Sequence, residues 1–169
     1  MAEKWAGGQP VSFGARLAAS QSFAVLFRDG MKLVEETAAY LDGPGRQDSK
    51  KLERSASLTY ATESMRLTTR LMQLASWLLL HRAVKEGEMT LSQANREKTK
   101  VKLSAADPGP DEMLEELPEQ LQVLIARSMI LQTKVRRLDT TIHAPVSERA
   151  AIGNPLVPQL NRLKAAFEQ

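Results

Sequence analysis

An almost unbroken apolar run, LMQLASWLLL at residues 71–80, restricts the folds that this chain can form. The run is ten residues long, contains Gln73 and Ser76, and lies between Arg70 and Arg82. A membrane-spanning helix needs about 20 mostly apolar residues, so the run is too short for a membrane anchor. We therefore expect no membrane insertion and interpret the run as part of a helix in a bundle.

The residues around this run show two apolar stripes with helical spacing. The first alternates steps of three and four and predicts the main core face of a helix at about residues 53–85. The second lies beside it and predicts a core seam or the seam of a symmetric homodimer, because the apolar face is wider than two neighbouring helices need. The first stripe consists of Leu58, Ala61, Met65, Thr68, Met72, Ala75 and Leu79, and the second of Leu67, Leu71, Leu74 and Leu78.

Two more long helices are predicted from the same kind of spacing. One covers about residues 20–41 and ends at the DGPG turn of residues 42–45. The other covers about residues 112–142, with its start marked by Pro110 or at the latest by Pro118. No segment alternates with the period of two that strands require. The predicted fold is therefore all-α, an antiparallel three-helix bundle that forms a homodimer and carries a flexible C-terminal tail.

The predicted bundle domain covers residues 20–143 and lies between two less regular segments. Residues 1–19 are interpreted as a flexible N-terminal arm without the apolar core of a secretory signal. Residues 144–169 contain three prolines and are interpreted as a mobile tail, with a weak periodic patch that predicts a short helix at 156–167. The chain has no cysteine, so we expect a cytoplasmic protein without disulfides.

Charge is distributed along the chain in blocks. Residues 1–106 carry a net charge of +5, residues 107–119 carry −6, and residues 120–169 carry +4. Nucleic-acid-binding proteins usually concentrate their basic residues on one face. We expect no direct nucleic-acid binding here, although a short basic run leaves a nucleic-acid-associated helical protein as an alternative; the run comprises Arg96, Lys98, Lys100 and Lys102.

The sequence contains no residue set typical of catalysis. His81 and His143 lie near predicted helix ends without the spacing of a metal site, and the adjacent Glu35 and Glu36 point in different directions on a helix. We therefore expect no catalytic, metal or cofactor site and no enzymatic activity. A helical enzyme or small-ligand-binding bundle, with a site built from residues remote in sequence, remains the alternative.

One polar row on the second helix contains a residue that does not fit. Glu63, Arg66, Arg70 and Trp77 share this row, and an indole there is exposed unless another element covers it. Trp and Arg are enriched in interface hot spots, so the four residues form a candidate partner-binding face. The alternative is that Trp77 is buried at the rim of the bundle or at a dimer seam.

Two stretches resemble a known family: LVEETAAYLDGPGRQDSK at residues 33–50 and SLTYATESMRLTTRLMQLASWLLLHRAV at residues 57–84. Both are similar to the RcdA family of alphaproteobacteria, regulators of the degradation of the cell-cycle factor CtrA. The resemblance implies a dimerising three-helix bundle that acts as a non-enzymatic adaptor and helps deliver substrate proteins to the protease ClpXP. It also implies partners, namely ClpX with a CpdR-type response regulator and a PopA-type cyclic-di-GMP effector, and recruitment to a cell pole.

Overall fold

The structure, a computed structural model, describes residues 21–98 and 108–143. Six helices and no strand occur in these ranges, which confirms the all-α prediction. No helix within them is both long and apolar enough to cross a membrane. The helices are α1 (Gln21–Asp42), α2 (Pro44–Lys50), α3 (Arg54–Lys85), α4 (Leu91–Lys98), α5 (Asp111–Leu114) and α6 (Glu119–His143).

Three predictions concern segments outside the described residues. These are the N-terminal arm at 1–19, the tail at 144–169 and the short helix at 156–167. They remain predictions.

The ends of α1 and α3 follow from local chemistry. The backbone N–H of Gly43 donates to the carbonyls of Ala39 and Tyr40 at 3.0 and 3.2 Å and ends α1. Pro44 then occupies the first turn of α2, where its missing N–H costs nothing. Gly87 follows α3 with a φ of +77°, a left-handed conformation that glycine adopts without strain.

The third long helix begins later than the predicted residue 112. The segment before it forms the short helix α5, and α6 begins only at Glu119, directly after Pro118. Proline disfavours helical geometry in the residue before it, so the chain turns at Leu117. The Gln122 side chain donates to the Leu117 carbonyl at 2.8 Å and stabilises this turn. The later of the two predicted start signals, Pro118, marks the real beginning of the helix.

The three long helices form a bundle in which α1 runs antiparallel to both of the others. At one end the rings of Phe23 and Trp77 are 6.4 Å apart, and at the other Gly45 approaches the hydroxyl of Tyr60. Helix α6 is antiparallel to α1 as well, since Glu36 pairs with Arg127 while Leu26 and Leu138 lie at the same end.

Helices α3 and α6 consequently run in the same direction. Arg70 bonds Ser128 and Trp77 bonds Asp139, so residue numbers rise together along the two helices. On the segment between them, Lys98 contacts Asp139 near the end of α6, whereas Gly109 contacts Glu63 in the first half of α3, so these two residues lie at different levels of the bundle. Gly109 in this segment donates its N–H to Glu63 at 3.0 Å.

One apolar core fills the space between the three helices. Burial of a large aliphatic or aromatic side chain contributes about 1.5–3 kcal/mol, so this cluster supplies most of the driving force for folding. The predicted seam residues Leu67, Leu71, Leu74 and Leu78 all lie in this core, covered by their own chain. The other buried members are Phe23, Leu33, Tyr40, Trp77, Leu117, Leu121, Leu124, Ile125, Leu131, Val135 and Ile142.

The corner between α1, α2 and α3 is closely packed around Gly45. The Tyr40 hydroxyl donates to Asp48 at 3.2 Å, and burial together with this carboxylate raises the pKa of Tyr40, so the hydroxyl stays protonated. A Cβ at Gly45 would lie 2.6 Å from the Tyr60 hydroxyl and 2.8 Å from the Tyr40 carbonyl. Only glycine fits this corner without displacing backbone.

We predict that Gly45→Ala destabilises the protein by about 1–3 kcal/mol, because the added methyl group overpacks a rigid site. Thermal unfolding followed by circular dichroism measures the change. Gln47→Ala, on the exposed side of the same short helix, is the control and should unfold like the wild type. Equal melting temperatures for Gly45→Ala and wild type would show that the corner is looser than described.

Candidate functional site

The polar row predicted as a partner-binding face points into the bundle. Glu63, Arg70 and Trp77 are 2%, 1% and 0% exposed, and only Arg66 keeps a partly exposed side chain. The exposure that the prediction assumed is therefore absent at Glu63, Arg70 and Trp77, and partner binding by the row stays a prediction. The alternative stated for Trp77, burial within the bundle, describes its position.

A carboxylate on α6 explains how Trp77 is buried without an unpaired N–H. The indole Nε1 donates to Asp139 Oδ1 at 2.8 Å, and Lys98 Nζ on α4 donates to Asp139 Oδ2 at 2.6 Å. His81, also buried, stacks on the indole with ring centroids 3.9 Å apart. Asp139 thus connects α3, α4 and α6, and Lys98 of the predicted basic run has a structural partner. Lys100 and Lys102 of that run lie outside the described residues.

The other two buried members of the row also have partners. Arg70 Nη1 donates to Ser128 Oγ at 2.9 Å, and that hydroxyl donates in turn to the Ile125 carbonyl at 2.7 Å. Glu63 Oε1 accepts from Arg66 Nη1 at 2.6 Å and from the N–H of Gly109. The row is a series of buried polar contacts that fixes how α3 is rotated against its neighbours.

The predicted main core stripe of α3 lies on the outside of the bundle instead. Leu58, Met65, Met72 and Leu79 are 71%, 72%, 67% and 53% exposed. We call these four residues the outer heptad, because each is separated from the next by seven positions. The prediction that this face forms the core was wrong.

The physical reason lies in side-chain size. The inward face carries the four seam leucines and Trp77, whereas the outer heptad alternates with Ala61, Thr68 and Ala75. A buried Trp removes about 150–250 Å² from water, which at about 25 cal/mol per Å² is worth roughly 4–6 kcal/mol. Burying the indole and satisfying its N–H therefore decides which face is inside. The size of Trp77 was the available sequence signal for this choice.

Within residues 21–98 and 108–143, no group of three or more His, Asp or Glu side chains is placed to hold a metal ion. Glu35 is exposed, and Glu36 forms ion pairs with Arg127 and with Lys32, the latter at 3.8 Å. The outer heptad, in contrast, has no role within a single chain. It is an exposed apolar strip on α3, a helix of 32 residues that is about 48 Å long.

We predict that Asp139→Ala destabilises the fold by about 1–3 kcal/mol, because the Trp77 N–H and the Lys98 ammonium both lose their acceptor. Chemical denaturation measures the effect. Thr140→Ala is the matched control, since this exposed side chain bonds only the Arg136 carbonyl of its own helix, and it should change stability by less than about 0.5 kcal/mol.

A double-mutant cycle with Trp77→Phe tests the specific contact. The cost of Trp77→Phe should be smaller in the Asp139→Ala background than in the wild type, since the bond is already lost. Strict additivity would contradict the assigned role of Asp139.

Comparison with known proteins places this fold in a family. The model of a family described as "Protein of unknown function (DUF1465)" matches residues 14–167. The crystal structure of RcdA from Caulobacter crescentus CB15 is similar, with 52% sequence identity and a TM-score of 0.63. The similarity covers 75% of this chain and 94% of the RcdA chain. A search of curated proteins gives no match. The chain belongs to the RcdA family, which the DUF1465 model describes.

Proposed function

We propose that this protein is a non-enzymatic adaptor that helps deliver selected cell-cycle regulators, CtrA-like proteins among them, to the protease ClpXP. Two findings support the proposal: membership of the RcdA family, and the outer heptad, an apolar strip on the outside of α3 through which the protein can contact another chain. Among this chain's own residues, the outer heptad is the observation that supports binding to another protein chain. An enzyme would need a pocket with converging polar groups, whereas an adaptor needs accessible surfaces.

The proposed mechanism is tethering. An adaptor that holds a substrate and the protease together makes their second contact intramolecular, with an effective concentration that can reach about 1 mM. Weak individual contacts are then sufficient. In this proposal ClpX with a CpdR-type response regulator provides one anchor, and a PopA-type effector or the substrate itself provides the other. The protein works in the cytoplasm and gathers with these partners at a cell pole.

The outer heptad also gives the proposed homodimer a definite seam. Four apolar residues at seven-residue spacing, with small Ala and Thr side chains between them, match the pattern by which two helices pack along a stripe. A two-fold axis would place the stripe of one protomer against the stripe of its partner. The seam leucines cannot serve this purpose, because they are covered within one chain.

Only one residue of the polar row, Arg66, is accessible enough to contact a partner in this proposal. Glu63, Arg70 and Trp77 are buried, whereas the Arg66 side chain is 36% exposed and next to the outer heptad residue Met65. Arg66 would therefore lie at the edge of the dimer seam, where a partner protein can reach its guanidinium group. We retain Arg66 as a contact residue and assign the other three to the stability of the bundle.

We predict that Met65→Lys combined with Met72→Lys converts a dimer into a monomer, because two ammonium groups in the seam cannot be desolvated together. Light scattering coupled to size exclusion measures the mass against the 18.7 kDa of one chain. The matched control is Thr133→Lys with Thr140→Lys, which places two lysines seven residues apart on the exposed side of α6. Loss of the dimer in the control, or its persistence in the methionine variant, would exclude the outer heptad as the seam.

The adaptor function itself is tested by reconstitution. Degradation of CtrA-like substrates by ClpXP with a CpdR-type regulator and a PopA-type effector is followed with and without this protein. We expect faster degradation of at least one substrate and no degradation when ClpX is omitted. The absence of stimulation for every substrate tried would contradict the proposal and leave the fold and family assignments unaffected.

A further inference from the structure

A second apolar surface, separate from the outer heptad, lies between α1 and α6. It contains two adjoining depressions of about 290 and 220 Å³, which share Leu26, Asp29 and Lys134 in their lining. A water molecule takes up about 30 Å³ of the liquid, so each depression has room for side chains. We call this surface the α1/α6 groove.

The floor of the groove is apolar and its walls expose more apolar side chains. Leu33, Leu131 and Phe23 form part of the floor and belong to the core. On the walls, Val25 of α1 is 42% exposed and Ile130 of α6 is 57% exposed, and the charged residues Asp29, Lys32 and Lys134 also line the depressions. The ion pair between Arg127 and Glu36 crosses from α6 to α1 toward one end of the groove. The surface resembles a four-helix bundle from which one helix has been left out.

We propose that the α1/α6 groove is the docking site of the chain's own C-terminal segment, residues 156–167, folded as a short amphipathic helix. The path of the chain supports this occupant. Helix α6 ends at His143, and Leu138 and Lys134, within about three turns of that end, line the groove. The twelve residues at 144–155 can span about 40 Å when extended, which is more than enough for the chain to turn back.

The sequence of this segment matches an apolar groove. Leu156, Leu160, Leu163 and Phe167 follow steps of four, three and four, which places them on one face of a helix about 17 Å long. Pro158 suits the first turn of such a helix. A helix that turns back after α6 would run antiparallel to it, as consecutive helices in bundles usually do.

The linkage between tail and groove makes the contact easier to form. A segment attached through a short linker experiences an effective concentration of about 1 mM at its site, so a modest apolar contact suffices to keep it docked. The inference is independent of the proposed adaptor function.

The natural absence of cysteine allows a direct test in the full-length chain. Ile130→Cys with Leu163→Cys joins the groove wall to the tail, and Val25→Cys with Leu163→Cys does the same from α1. Both groove positions are exposed, so these substitutions spare the core. The control pair, Ser92→Cys with Leu163→Cys, joins the tail to an exposed position on α4, a helix that contributes neither to the groove lining nor to the outer heptad.

We expect an intramolecular disulfide in at least one groove pair to form roughly tenfold faster than in the control pair under mild oxidation. Non-reducing electrophoresis and mass spectrometry separate it from intermolecular products. Adding Leu160→Glu and Phe167→Glu should slow the groove pairs to the control rate, because the apolar face of the tail is lost. Equal rates in groove and control pairs, exclusively intermolecular disulfides, or no effect of the two glutamates would each overturn the proposal.

Discussion

The buried Trp77 indole, with its N–H bonded to Asp139, determines how the longest helix of this protein is rotated. Burying the indole without an acceptor for its N–H would destabilise the fold by about 1–3 kcal/mol. With Asp139 in place, the largest apolar side chain of α3 enters the core and brings the neighbouring leucines with it. The same carboxylate accepts from Lys98, so the short helix α4 is attached at the same point. Everything that α3 exposes, including the outer heptad, follows from this orientation.

Much of the fold was predictable from local signals. The apolar spacing and the turn at residues 42–45 predict α1 and α3 close to their observed bounds, Gln21–Asp42 and Arg54–Lys85. Apolar periodicity could not show which face of α3 is buried, because both faces carry helical periodicity. That choice depends on Asp139 and Ser128, which are 62 and 58 residues away from their partners Trp77 and Arg70. The size of Trp77 was the only local indication of the buried face. Glu63 and Arg70 have the charge of surface residues, and only their partners distant in sequence explain their burial.

The direction of α6 is a second property that the apolar spacing of the sequence could not predict. Apolar stripes predict that helices pack but not how a connecting segment runs. Here Lys98 contacts Asp139 near the end of α6, and Gly109 contacts Glu63 in the first half of α3. The two helices run in the same direction, and α1 alone opposes both. Among the described residues, none covers the groove between α1 and α6 or the outer heptad of α3, so the described part of the bundle has two separate apolar surfaces.

The orientation of α3 can be measured directly through Trp77. The sequence contains two tryptophans, so a Trp5→Phe variant reports on Trp77 alone. Its fluorescence should be shifted to short wavelength and quenched by acrylamide several-fold less than in the unfolded chain. The shielding should be unchanged when Met65→Lys and Met72→Lys are added, because it comes from the protein's own core and not from a second copy. Trp77 emission that is quenched as readily as an exposed indole, or that becomes so once those lysines are present, would contradict the account.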